Sequence, residues 1–166
     1  MSALATSPRV FIQTADFDLS AEVSTLRGKN AGVGAVCSFV GTVRDRTAGV
    51  VGSISSMELE HYPGMTEKSI EAMIDAAHQR FDILDARVIH RVGLLQPLDQ
   101  IVLVAVTSAH RGASFQACEF LMDYLKTQAP FWKKEQTPEG ARWVDARVSD
   151  DAALLKWGLL SSNLEA

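Results

Sequence analysis

Seven consecutive residues constrain this chain more than any other feature: Ile101, Val102, Leu103, Val104, Ala105, Val106 and Thr107 form an unbroken, valine-rich run. β-Branched residues lose side-chain freedom in a helix and pack well on a pleated sheet. The run is also far too short to cross a bilayer. It reads as a strand, the most buried of the chain.

Periodicity places the other elements. Ile70, Met73, Ile74, Ala77 and Phe81 recur at helical spacing and predict a helix over residues 66–81. Phe115, Cys118, Met122 and Leu125 form the predicted buried stripe of a second helix over 112–128, which Pro130 ends. Residues 18–27 read as a short helix capped by Asp18 or Ser20. Strands are expected at 10–13, 34–40, 54–61, 86–91, 131–136 and 142–147, with Val88 and Ile89 facing opposite ways. Residues 41–52 read as a mobile loop, 93–99 as a turn region, and the tail from Asp150 as weak helix or disorder. The order β, α, β, β, α, β, β, α, β, β is that of an α+β domain with a mainly antiparallel sheet and a terminal hairpin.

Composition narrows the functional classes. With 166 residues, 47% of them hydrophobic, the chain can bury a core without staples and reads as a single domain. Sixteen Lys and Arg against 20 Asp and Glu leave a net charge of −4, which argues against a general nucleic-acid binder. A local basic site is compatible with that total. Two cysteines, Cys37 and Cys118, are too few for a disulfide framework and lie in apolar runs, as buried thiols of a reducing compartment do. Neither a membrane span nor a signal-peptide pattern is read, so the expected location is the cytoplasm.

The richest chemistry lies between Thr107 and Lys134. His110 and Arg111 follow the buried strand and open a helix, whose first N–H groups carry partial positive charge. That is an anion site; the plainer reading is a surface Arg and a capping His. Lys126 lies near the far end of the helix, where a lysine also complements the dipole. Lys133 and Lys134 follow in a strand that sends them to opposite faces, flanked by Phe131 and Trp132. A lysine held beside apolar groups can serve as acid, base or nucleophile. Arg44 lies in a glycine-rich loop that lacks the Gly-Lys-Ser/Thr of a nucleotide-binding P-loop. His61, His78, His90 and His110 have no metal-like spacing with Cys, and ordinary helix or strand roles are the simple explanation for three of them. Cys118 falls on an apolar helical stripe and reads as core rather than nucleophile. The result is an anion pocket drawn from Arg44, His110, Arg111, Lys126, Lys133 and Arg147, with no substrate named by spacing alone.

Seven blocks in order carry a resemblance. They are Phe39-Val40-Gly41-Thr42-Val43-Arg44, Leu59-Glu60-His61-Tyr62-Pro63-Gly64-Met65, Ile89-His90-Arg91-Val92-Gly93 and Thr107-Ser108-Ala109-His110-Arg111. Met122-Asp123-Tyr124-Leu125-Lys126, Ala129-Pro130-Phe131-Trp132-Lys133-Lys134-Glu135 and Arg142-Trp143-Val144 complete them. With these the chain resembles the MoaE family, the large, catalytic subunits of molybdopterin synthase. The likeness covers about residues 32–150 and leaves 1–30 and 151–166 as peripheral.

The resemblance implies an α/β hammerhead-like α+β fold with an additional small β subdomain. It implies a sulfurtransferase that converts cyclic pyranopterin monophosphate into molybdopterin. The sulfur donor is then a thiocarboxylate on the C-terminal Gly-Gly of a small ubiquitin-like subunit, in a heterotetramer built on a homodimer of large subunits. No cofactor and no metal are implied. Carried over by position, Lys126 and Lys133 are catalytic, with Lys126 assigned to the partner's terminal carbonyl. Thr42, Val43, Arg44, His110, Arg111, Lys134, Glu135 and Arg147 are substrate-binding, Arg147 reaching in from the neighbouring large subunit. Two other classes compete: a module that docks a ubiquitin-like protein without chemistry, and a metal-free phosphoesterase using His110.

Overall fold

The valine-rich run becomes the centre of the molecule. In the computed structural model, which describes residues 8–45, 56–137, 140–144 and 148–159, it forms β6 (Gln100–Ser108), buried without a break from Val102 to Ser108. Both edges of β6 are paired antiparallel, to β2 (Ala35–Thr42) on one side and β4 (Asp85–Arg91) on the other. β1 (Val10–Gln13) lies parallel to β4 at the far edge, giving sheet A the order β1-β4-β6-β2.

Alternation then divides the apolar side chains between two layers. Val102, Val104 and Val106, with Ala86 and Val88, face α2 (Met65–Arg80) and α3 (Arg111–Gln128). Leu103, Ala105 and Ile89 face the other way, onto Phe17 and the flank of α1 (Leu19–Arg27), where Leu26 packs against them. Val88 and Ile89 thus face opposite layers, as expected. Asp18 caps α1 by accepting from the Ala21 N–H at 2.9 Å.

The buried stripe of α3 differs from the predicted one. Phe115 is 61% exposed and Met122 only half-buried, while Ala117, Cys118, Phe120, Leu121 and Leu125 are buried. The reason is a fourth helix. The tail forms α4 (Val148–Leu155), which places Leu154 in full burial. Just beyond it, the Trp157 ring meets Phe120 edge-on at 5.5 Å and Phe81 at 5.7 Å. Its Nε1 donates to Asp123 at 2.7 Å. This docking draws Phe120 inward and widens the apolar face of α3.

A second, smaller sheet carries the order β5-β3-β7-β8, all antiparallel: β5 (Gly93–Leu95), β3 (Ser56–His61), β7 (Phe131–Thr137) and β8 (Gly140–Val144). Its core is Val43, Met57, Leu59 and Leu95. The turn expected at 93–99 therefore begins with a short strand. Gly93, at φ +87°, bends the chain out of β4, and the next residues pair with β3. Gly41 and Thr42 belong to β2 rather than to a loop, with a register shift between them. The remainder of the expected loop, from residue 46, lies outside the described residues. Among the described residues no helix is long and apolar enough to cross a membrane.

Candidate active site

Of the connections that pass from the sheet A layers into sheet B, two frame the site. One runs from β4 through Gly93 into β5, the other from α3 through Pro130 into β7. Where they meet, the His90 imidazole of β4 lies flat on the Phe131 ring of β7, with centroids 3.9 Å apart and planes at 19°. Phe131 pairs with His61 across β3 and β7. Buried Thr66 clamps the junction: its Oγ1 donates to the Pro130 carbonyl at 3.0 Å and accepts from the Tyr62 N–H at 2.9 Å. The Pro63-Gly64 turn holds the same corner, since Glu67 accepts from the Gly64 N–H at 2.6 Å and lies 3.4 Å from His61 Nε2.

The two candidate catalytic lysines reach this seam from different elements. Lys126 is exposed in the last turn of α3, five residues before Phe131. Lys133 follows Phe131 by two residues, so strand alternation gives both the same face, opposite Leu59. Lys134 takes the other face with Trp132. His90 reports the electrostatics. Burial first, then the charges of Lys126 and His61, hold it well below the usual histidine range, at about 4, against the opposing effect of the Arg91 carbonyl.

Thr42 and Arg44 are exposed at the same end of sheet A, since Thr42 pairs with Gln100 and His90 pairs with the nearby Val102. Between them Val43 turns inward. Its side chain is in the sheet B core, its N–H donates to Asp99 O at 2.8 Å, and its carbonyl accepts from Leu98 N at 2.8 Å. Val43 thus anchors its two exposed neighbours. Glu135 lies in β7 opposite Met57 and Arg142. Arg147 lies outside the described residues.

His110 and Arg111 are elsewhere. They begin α3 and Lys126 lies in its last turn, about 22 Å further along the helix axis. Both are exposed, and His110 makes no side-chain capping bond. Ser108 Oγ donates to the His110 carbonyl at 2.6 Å and fixes the turn. Gly34, immediately before β2, closes it by donating to Ser108 O at 3.0 Å. A Cβ at Gly34 would stand 2.2 Å from the Ala109 carbonyl oxygen, so no larger residue fits. The single cationic pocket expected from the sequence is thus divided, in one chain, between the two ends of α3.

Neither thiol is placed for chemistry. Cys37 is half-buried and Cys118 buried, both free, and burial with the adjacent Cys37 pushes the Cys118 thiol up to about 12. An open recess of about 410 Å³ lined by Glu60, His61, Tyr62, Pro63 and Trp132 flanks the seam, with the Tyr62 and Trp132 rings 5.8 Å apart. Sequence reasoning gave His90 and His61 ordinary roles. The available signal was a polar residue on the helix-facing side of a buried strand, three places before a bend-forming glycine.

Fold and site define a class: an α+β chain of two sheets with a cationic, thiol-free site at their seam. Comparison with known proteins makes the class specific. The family model described as MoaE protein matches residues 12–128, and the chain belongs to that family. The match begins at residue 12, within β1. The molybdopterin synthase catalytic subunit of Ralstonia nicotianae is 62% identical over 159 residues, covering 96% of this chain and 89% of the relative. The solved structure of the molybdopterin biosynthesis MoaE protein from Burkholderia ambifaria superposes with a TM-score of 0.79 at 58% identity, covering 91% of this chain and 98% of that one. A chain from the complex of subunits 1 and 2 of molybdopterin-converting factor from Helicobacter pylori shares the fold, with a TM-score of 0.66 at 17% identity over 84% of this chain and 90% of its own. The relatives make this an enzyme of molybdenum-cofactor biosynthesis.

Proposed function

We propose that the chain transfers sulfur from the thiocarboxylated C-terminus of a small ubiquitin-like subunit to cyclic pyranopterin monophosphate, as the catalytic subunit of a molybdopterin synthase. The observation that carries this reading is the seam, where the charge of Lys126 acts on one buried imidazole and Lys133 shares a strand face with the Phe131 ring stacked on it, while both cysteines are free and lie on β2 and the middle of α3. An enzyme whose sulfur arrives on another chain needs no nucleophilic thiol of its own. Two free thiols also suit a reducing cytoplasm.

In each transfer the thiocarboxylate sulfur bonds to a carbon of the pterin side chain as that carbon's bond to oxygen breaks and the oxygen leaves with a proton, forming a thioester. Water then adds to the acyl carbon, the partner leaves as a carboxylate, and the sulfur stays on the pterin. Negative charge gathers on the acyl oxygen during that addition, and an ammonium beside it lowers the barrier. Lys126, at the mouth of the seam, takes this role, and Lys133 moves the proton. Thr42 and Arg44 offer hydrogen bonds to the substrate phosphate.

His110 and Arg111 reach the same substrate through a second copy. β2 is an edge strand, and Val36 and Phe39 on it are exposed. Antiparallel pairing of two β2 strands about a two-fold axis brings the His110–Arg111 end of one copy against the Thr42–Lys126 end of the other. This homodimer, with a small subunit at each lysine seam, is the proposed heterotetramer.

A conversion assay with the pterin and thiocarboxylated partner tests the reading. Lys126→Ala and Lys133→Ala are expected to fold, bind the partner and lose about 100-fold or more in turnover; full activity in both ends the assignment. Partner binding without turnover by the wild-type chain identifies a docking module instead. Mixing Arg111→Ala with Lys126→Ala copies should restore about a quarter of wild-type activity, because half the dimers then hold one intact site.

A further inference from the structure

The ladder between β3 and β7 stops one pair short of the turn that separates the two lysines. His61 pairs with Phe131, and continuing the antiparallel register sets Tyr62 opposite Pro130. Proline has no N–H, so that pair cannot exchange both of its bonds. Thr66, fully buried in the first turn of α2, completes the rung. Its backbone N–H donates to the Tyr62 carbonyl at 2.9 Å, in place of the missing proline donor. Its hydroxyl accepts from the Tyr62 N–H at 2.9 Å and lies 3.0 Å from the Pro130 carbonyl oxygen. An N–H only donates and a carbonyl only accepts, so the one hydroxyl hydrogen goes to Pro130.

Pro130 is the fourth residue after Lys126 and the third before Lys133. Between the lysines the chain leaves α3 at Gln128, extends at Ala129 (φ −74°, ψ 132°) and enters β7 at Phe131. The Phe131 N–H donates to the Ala129 carbonyl at 2.9 Å, a tight turn that constrains the segment only against itself. The bond from Thr66 to Pro130 instead spans 64 positions and fixes the turn against both β3 and α2.

We propose that Thr66 is a positioning residue of the sulfur-transfer site: by holding the Pro130 carbonyl to the end of β3, its hydroxyl sets where Lys133 stands relative to Lys126. The role rests on the reading of the two lysines given above. Groups that act on one acyl carbon must be placed closely, since a misplacement of about 1 Å costs on the order of 100-fold in rate. Without the hydroxyl, the Tyr62 N–H and the Pro130 carbonyl lose this partner, and the entry of β7 shifts to find another.

Two measurements on the full chain test this. Thr66→Val keeps the shape and removes the hydroxyl, whereas Thr66→Ser keeps the hydroxyl. Amide hydrogen exchange, which needs no substrate, should be about tenfold or more faster at Tyr62 in Thr66→Val than in wild type or Thr66→Ser. An unchanged Tyr62 amide in Thr66→Val overturns the proposal. In the conversion assay, run well below the Tm of each variant, Thr66→Val is expected to lower kcat about 10- to 100-fold. KM for the pterin and affinity for the partner should change less than about twofold, and Thr66→Ser should recover most of kcat. Equal losses in both variants, a raised KM with kcat unchanged, or losses that follow Tm mark a structural role and overturn the proposal. If Thr66→Val does not fold, Thr66→Ala takes its place with the same expectations. A wild-type chain without turnover ends the assignment of the reaction itself, whereas wild-type turnover with unchanged kcat in Thr66→Val removes only the role of Thr66.

Discussion

Sheet A and sheet B are packed on different terms. In sheet A the central strand is buried on both faces, between α2 and α3 on one side and α1 on the other. Sheet B surrounds a cluster of four buried residues, Val43, Met57, Leu59 and Leu95, and leaves Leu94 63% and Trp132 43% exposed. Yet Lys133 stands on sheet B, and Lys126 and His90 reach it from the sheet A side. The difference teaches how such a site can be both exact and open. The layered sheet holds the end of α3 and the imidazole in place, while the thin sheet carries Lys133 on the side that the proposed partner tail would approach.

The comparison is broken or sharpened most strongly at Phe120. This fully buried ring meets Phe81, Tyr124 and Trp157 edge-on, and Phe120→Ala should cost about 3–5 kcal/mol in denaturant unfolding. Acid comes next. His90 is held at about 4 in the folded chain, below its ordinary 6.5. The unfolded chain therefore binds a proton that the folded chain refuses. The stability from the neutral ring is complete above pH 6.5 and is lost as pH falls toward 4, by at most about 3 kcal/mol. Urea titrations of wild type and His90→Phe across that range should show a steeper slope in the wild type.

Leu95→Ala, in the core of sheet B, should cost about 2 kcal/mol, at the lower end for such truncations, because the small cluster can collapse around the space. A cost equal to that of Phe120→Ala would show the two sheets to be one cooperative core. Trp132→Ala should change stability by less than about 0.5 kcal/mol in the same experiment. A larger loss would mean that its contact with Tyr62 supports the seam.

Element positions were readable from local pattern because each element's period is a local quantity. The run at 101–107, the stripe in α2 and the Asp18 cap fall within a residue or two of β6, α2 and α1. β5 was not readable: three residues hold no period, and their pairing partner lies about 36 residues earlier in β3. The inward turn of Phe120 was not readable either, since it depends on a tail helix whose own pattern is weak. The site shows the same division. Lys126 and Lys133 were singled out by residue type and family likeness, while His90 and His61 look like any strand-end histidines until Phe131 is laid beneath one and opposite the other.

The sequence by itself therefore determined the α+β class, the central strand, the order of the longer elements and the family, because hydrophobic period and motif order are written along the chain. Only the tertiary structure decided which strands share each sheet, that the His90 imidazole stacks on Phe131 where the two sheets meet, and that His110 and Arg111 stand at the opposite end of α3 from Lys126. Those facts depend on which distant residues touch, and a one-dimensional period carries no information about contact.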